Sequence, residues 1–207
     1  MRKEVKHIFG FDRNGTSRHM TLGILGCDHG AGTTHLAISL CSYCASKQRR
    51  SVAYVELHAR SEIAQLVPEP ALPYGDCRFQ LHGVDYYPRI SDSRIPELLN
   101  QGYDYLILDV GALDEANVPE FLRCDRKLVL GSLATWKLWK YEAFFQHFDS
   151  INLGEGFDFL VQMGMYEHAR RFSRAHHITM SQIPFIQNPF RIEKELFPFL
   201  ERHIPAV

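Results

Sequence analysis

Apolar residues along the chain alternate between two patterns. One is the short unbroken run of a strand buried on both faces; the other is the three-and-four spacing of a helix with one face covered. Residues 21–25 make the first run, and after a glycine-rich turn Leu36, Ala37, Leu40 and Cys41 recur at helical spacing. Further runs fall at 51–57, 103–111, 127–133, 157–163 and 179–186. Helical patterns fill the intervals at 92–100, 117–123, 135–148 and 167–176, and a last one covers 192–203. A short helical stretch is expected at 61–67, then a proline-rich link at 68–75, then a hairpin or a pair of edge strands at 78–88 split by Gly83. Pro198, inside the last pattern, predicts a kink or an early end there.

Strands alternating with helices predict an α/β fold: a doubly wound, mostly parallel sheet with helices on both faces. Residues 1–19 carry five basic side chains and little periodicity and read as an arm, leaving 20–207 as one domain.

Composition narrows the picture. Hydrophobic residues make up 45% of the 207, enough for a substantial core, and a formal charge of −1 gives no global attraction to nucleic acid or anionic membrane. No apolar run reaches membrane-spanning length and the amino terminus lacks a secretory pattern, so a cytoplasmic protein is expected. Five scattered cysteines suit reduced thiols; the Cys41/Cys44 pair has redox or zinc spacing but sits mid-helix without partners, as small core residues do. The helix from Trp136 interleaves aromatics and lysines, which suits a sheet-packed core face or a self-association surface.

The chemistry concentrates between the first strand and its helix. Gly30 and Gly32 allow the backbone to converge its NH groups on an anion at the helix amino end, where the dipole adds attraction. Against the phosphate-loop pattern GxxxxGK[ST], Gly32 and Thr34 fit, but Cys27 stands at the first glycine and Thr33 at the lysine. Asp109 closes the run Tyr105 to Leu108, the place of a carboxylate that reaches a magnesium ion beside such a loop.

These motifs resemble the MinD/ParA family of P-loop ATPases, whose loop reads KGGxGKTT. Within that family the loop looks closest to the CpaE/TadZ-type branch found with pilus assembly, where a small residue commonly replaces the last loop lysine. Gly30, Ala31, Gly32, Thr33, Thr34 and His35 match that variant, and the 103–112 stretch YDYLILDVGA resembles the family's second motif. The resemblance implies ATP as cofactor, with magnesium held through Thr34 and Asp109. Gln162 takes the place of an adenine-recognising Asn, and Pro184 that of a purine-walling segment. It also implies a homodimer and a protein partner in a membrane-associated assembly. Three departures follow from the same alignment: Asp28 replaces the signature lysine, Thr33 the loop lysine, and His58 the switch Asp that follows Glu56. Each missing lysine removes a charge-assisted contact of roughly 1.5–3 kcal/mol. Hydrolysis is therefore expected to be absent or very weak, in a nucleotide-binding or pseudo-ATPase protein acting as a scaffold or localisation factor. A slow active ATPase and an interaction module with an empty site are the alternatives.

Overall fold

A computed structural model describes residues 19–66, 78–148, 156–164 and 166–204. Most of the expected arm and the whole proline-rich link lie outside them. The chain runs β1 (Met20–Gly26), α1 (Thr33–Ser46), β2 (Val52–Glu56), β3 (Phe79–Leu81), β4 (Val84–Tyr87) and α2 (Ile95–Leu99). It continues through β5 (Tyr105–Ala112), α3 (Val118–Arg123), β6 (Arg126–Leu133), α4 (Leu138–His147), β7 (Phe157–Gly164), α5 (Tyr166–Ala175), β8 (Met180–Gln182) and α6 (Phe197–His203).

The strands form one sheet in the order β3-β4-β2-β5-β1-β6-β7-β8. Every pairing is parallel except the β3–β4 hairpin at one edge. Successive side chains of a strand point to opposite faces, and the core divides accordingly. Leu22, Ile24, Tyr105 and Ile107 pack with α1 and α6, while Leu25, Leu106, Leu108 and Val110 pack with helices of the other face. This is the doubly wound arrangement that the alternation predicts.

Helix α1 is buried continuously from Leu36 to Cys44, because α6 covers the side that the sheet does not. Tyr43 donates to Glu201 at 2.5 Å and meets the Phe197 ring edge-on. Cys41 and Cys44 are free buried thiols in that helix, as core residues there should be.

Four local expectations need correction. Residues 63–66 form only a 3-10 turn. Strand β8 stops at Gln182 instead of reaching 186, since Pro184 has no NH to give a ladder and the chain leaves the sheet there. Pro198 neither kinks nor ends its helix; it occupies the first turn of α6, where a missing NH costs nothing. Trp136 and Trp139 do not join Phe144 and Phe145 on the sheet side: they are 73% and 60% exposed. Trp136 precedes α4, and the buried stripe is Tyr141, Phe144, Phe145 and Phe148, from which Trp139 is displaced by two residues.

Candidate functional site

The carboxyl ends of β1, β2, β5, β6 and β7 share one edge of the sheet, and the loop between β1 and α1 lies on it. Gly30 at φ 72° and Gly32 at φ 89° give the loop the left-handed turns that L side chains resist. Gly32 is the N-cap of α1 and offers no side-chain acceptor. The first helical bond runs from Leu36 NH to Gly32 C=O at 3.0 Å. The amides of Thr33, Thr34 and His35 precede it and have no intrahelical acceptor, so a fourteen-residue helix opens onto this edge with uncapped donors. Converging donors of this kind can hold an anion.

Asp28 and His29, near the start of the loop, each lie against charged side chains. Asp28 meets Lys137 Nζ at 3.1 Å and Lys140 Nζ at 3.0 Å and accepts from the His29 amide at 2.9 Å. Burial opposes ionisation of Asp28, but the two lysines outweigh it and hold the carboxyl below its ordinary range. Two cations on one carboxylate leave one positive charge in excess beside the nest. Lys140 lies in the first turn of α4 and Lys137 in the 3-10 turn just before it, and Tyr141 anchors this helix start: its ring lies over Gly131, and its hydroxyl donates to Leu160 C=O at 2.7 Å and reaches Val129 C=O at 3.2 Å. His29 Nε2 lies 3.2 Å from both Asp114 and Glu115, and Arg60 pairs with Glu115 at 3.0 Å. His29, Asp114 and Glu115 are spaced as metal ligands, but they are part-exposed and the Arg60 contact marks an ion-pair cluster.

Asp109 is wholly buried within β5, three residues before the strand ends. Its Oδ2 accepts from Thr34 Oγ1 at 2.6 Å and from the Tyr54 hydroxyl at 2.8 Å, and its Oδ1 accepts from the Gly111 amide at 3.2 Å. His58 Nε2 stands 3.4 Å from Asp109 Oδ2 and 3.7 Å from Glu56 Oε1, close enough for ion pairing yet aligned with neither for a hydrogen bond. Burial would push the His58 pKa down, but Asp109, then Glu56 and Glu115, raise it above the usual 6.5. Burial likewise works against the Asp109 carboxylate, and His58, Thr34 and Tyr54 overcome it to lower that pKa. Glu56 is raised, first by burial, although Ser61 donates to it at 2.5 Å. The oxygens that the resemblance gives to magnesium are thus engaged with each other and with protein donors, and the set does not fit a hydrated divalent ion.

The residues expected at the base gather at the start of α1. A Cβ on Gly32 would lie 3.5 Å from Gln162 Nε2, which places that amide over the loop. His35 Nε2 contacts the Ile186 carbonyl at 2.9 Å and holds the segment containing Pro184 against the helix. Every residue expected to bind nucleotide, from Gly30 to His35 together with Asp109, Gln162 and Pro184, therefore lies on or beside one edge. Sequence reasoning missed Tyr54, Lys137 and Lys140. Tyr54 had a signal, since period two puts it on the face of Glu56, and Glu56 is the register partner of Asp109. The lysines had none, because nothing local ties them to position 28.

No family model and no curated protein matches this chain. Solved structures do. A ParA family ATPase from Chlorobium tepidum TLS is 12% identical over 82% of this chain and 86% of its own, with a TM-score of 0.65. MinD of Pyrococcus horikoshii OT3, complexed with Mg-ADP, is 16% identical over 81% and 82%, with a TM-score of 0.59. Aquifex aeolicus MinD in its complex with MinC is 17% identical over 90% and 87%, with a TM-score of 0.56. At these identities the likeness is one of architecture: the chain has the fold of the MinD/ParA P-loop ATPases.

Proposed function

We propose that this chain binds a nucleotide at the Gly30–Thr34 loop and does not turn it over, serving as a MinD/ParA-like scaffold or localisation factor. The observation that carries this reading is the uncapped amino end of α1 beside a carboxylate whose charge two lysines more than balance. Gln162 and the Pro184 segment supply a place for a base. Against turnover stand the absence of both loop lysines and the presence of His58, a cation-forming ring, where the resemblance expects a carboxylate that positions water. A cytoplasmic location and a role in pilus or secretion assembly rest on the resemblance alone.

A homodimer formed across the nucleotide edge belongs to the same proposal. Trp136, Trp139, Met163, Tyr166 and Phe185 are all exposed, and all lie at or just beyond the carboxyl ends of β6, β7 and β8. Apolar area concentrated on one edge favours burial against a partner.

Slow ATP hydrolysis is a second reading favoured by one specific feature, the Lys137/Lys140 pair, which offers cations from outside the loop. Titration with ATP and ADP, followed by a turnover assay, separates the readings. Binding that Gly32→Val abolishes, with turnover below about 0.1 per second, roughly one per cent of a median enzyme, supports the proposal. Faster turnover that Asp109→Ala removes supports the ATPase, and no binding at all supports an empty-site interaction module.

A further inference from the structure

Among the described residues, the largest concentration of buried ionisable groups is the set around Asp109, in the second half of β5 and bonded to Thr34 of the nest. In a metal-assisted phosphate site such a carboxylate must keep an oxygen available to the ion or to one of its waters. Here that requirement is not met. A carboxylate oxygen has two lone pairs, and Oδ2 of Asp109 spends both on the hydroxyls of Thr34 and Tyr54. Oδ1 takes the Gly111 amide, and the residue has no exposed surface from which water could approach. Asp109 Oδ1 keeps one lone pair and Glu56 Oε1 keeps both, but both carboxylates are wholly buried and Glu56 Oε1 faces His58, so Thr34 offers a hard divalent cation only a single neutral oxygen.

The space beside the carboxylate is also filled. His58 is held between Asp109, Glu56 and Gly111, with its side chain 8% exposed. Gly111, at φ 77°, makes room for the ring: a Cβ there would lie 2.9 Å from His58 Cβ and 3.1 Å from its Cδ2. Glu56 Oε1 and His58 Nε2 are buried without a hydrogen-bond partner and face each other at 3.7 Å without an aligned bond.

We infer that this site takes its phosphate ligand without a divalent cation, because Thr34, Tyr54, Gly111 and His58 already occupy the carboxylate that would hold one. The inference rests on the nucleotide-binding reading for its ligand but not for its geometry. It also bears on the ligand's class. Without metal and without loop lysines, backbone amides and the single excess charge from Lys137 and Lys140 match a nucleoside mono- or diphosphate better than a triphosphate.

Two experiments on the full chain test it. In the first, ADP is titrated calorimetrically in magnesium chloride and in EDTA. Dissociation constants within about threefold of each other are expected for the wild type, and tightening by tenfold or more in magnesium would overturn the inference while leaving the nucleotide site standing. The second needs no nucleotide: free Mn²⁺ is followed by its EPR signal in the presence of wild type, Asp109→Asn, His58→Asp and His58→Ala. Wild type and Asp109→Asn are expected to remove the same amount of ion, any uptake by His29, Asp114 and Glu115 being common to both, and a His58 variant is expected to remove more. His58→Ala adds no charge and covers the case in which His58→Asp fails to fold. Uptake by wild type that Asp109→Asn abolishes, or no gain in either His58 variant, would overturn the inference whatever ADP does.

Discussion

His58 is the residue whose replacement tests the site's electrostatics most sharply. His58→Leu keeps most of the ring's volume against Gly111 but leaves Asp109 and Glu56, both wholly buried, without their cation. Removing one partner of a buried ion pair costs about 3–5 kcal/mol, because the remaining charge stays desolvated. For a chain of this size each kcal/mol moves Tm by roughly 2–4 °C, so the variant is expected to melt about 6–20 °C lower. The loss has a definite pH signature. His58 has a folded pKa raised above 6.5, so its contribution is complete below 6.5 and fades as pH rises through the folded value. Asp109 has a folded pKa lowered below 3.8, so its contribution is present above 3.8 and is lost as pH falls through the folded value. The gap between wild type and variant is therefore widest between these limits and narrows in alkaline solution. Thermal melts by circular dichroism from about pH 5 to pH 9 measure it. A gap that stays constant across that range, or one below about 1 kcal/mol, would refute the charged pairing of His58 with Asp109.

Three other outcomes are expected. Asp28→Ala frees Lys137 and Lys140 and should tighten ADP or sulfate binding by about two- to fivefold at low ionic strength, an effect of roughly 0.5–1 kcal/mol that salt suppresses; unchanged or weaker binding in calorimetry counts against the loop's charge balance. Gly131→Ala drives a methyl to 2.3 Å from the Tyr141 ring, so α4 must shift at a cost of about 1–3 kcal/mol, seen as a lower midpoint in urea. If the apolar edge pairs two copies, light scattering should report a dimer that the double variant Trp136→Ala, Trp139→Ala converts to monomer; a wild-type monomer at high concentration removes that proposal.

The sequence was most legible where one local pattern fixes one local structure. The apolar run before Gly30 and Gly32, the helical spacing after them, and the run ending in Asp109 place the nest and the buried carboxylate on the same sheet edge. Less was legible where long-range packing decides. Burial of α1 on every side depends on α6, more than 150 residues away, and the Asp28 contacts with Lys137 and Lys140 join positions more than 100 residues apart. Asp28 alone reads as repulsion at an anion site, and only the position of α4 reverses that. Tyr54 reads as one more apolar strand residue because its ring belongs to the core; its hydroxyl, at the far end of that ring, enters the site. Spacing alone leaves Trp136 and Trp139 on either a sheet-packed face or a self-association surface; packing decides, because the buried stripe runs through Tyr141, Phe144 and Phe145 and leaves both tryptophans exposed.

If this chain binds a nucleotide, the amino end of α1 must be a working anion site. A crystal structure of the full chain grown with ADP measures it directly. Phosphate density is expected on the amides of Thr33 and Thr34, with the Asp28 carboxylate still held by Lys137 and Lys140 and no metal on Asp109. A well-ordered loop with that nest empty, or filled by Asp28 or His29, would contradict it.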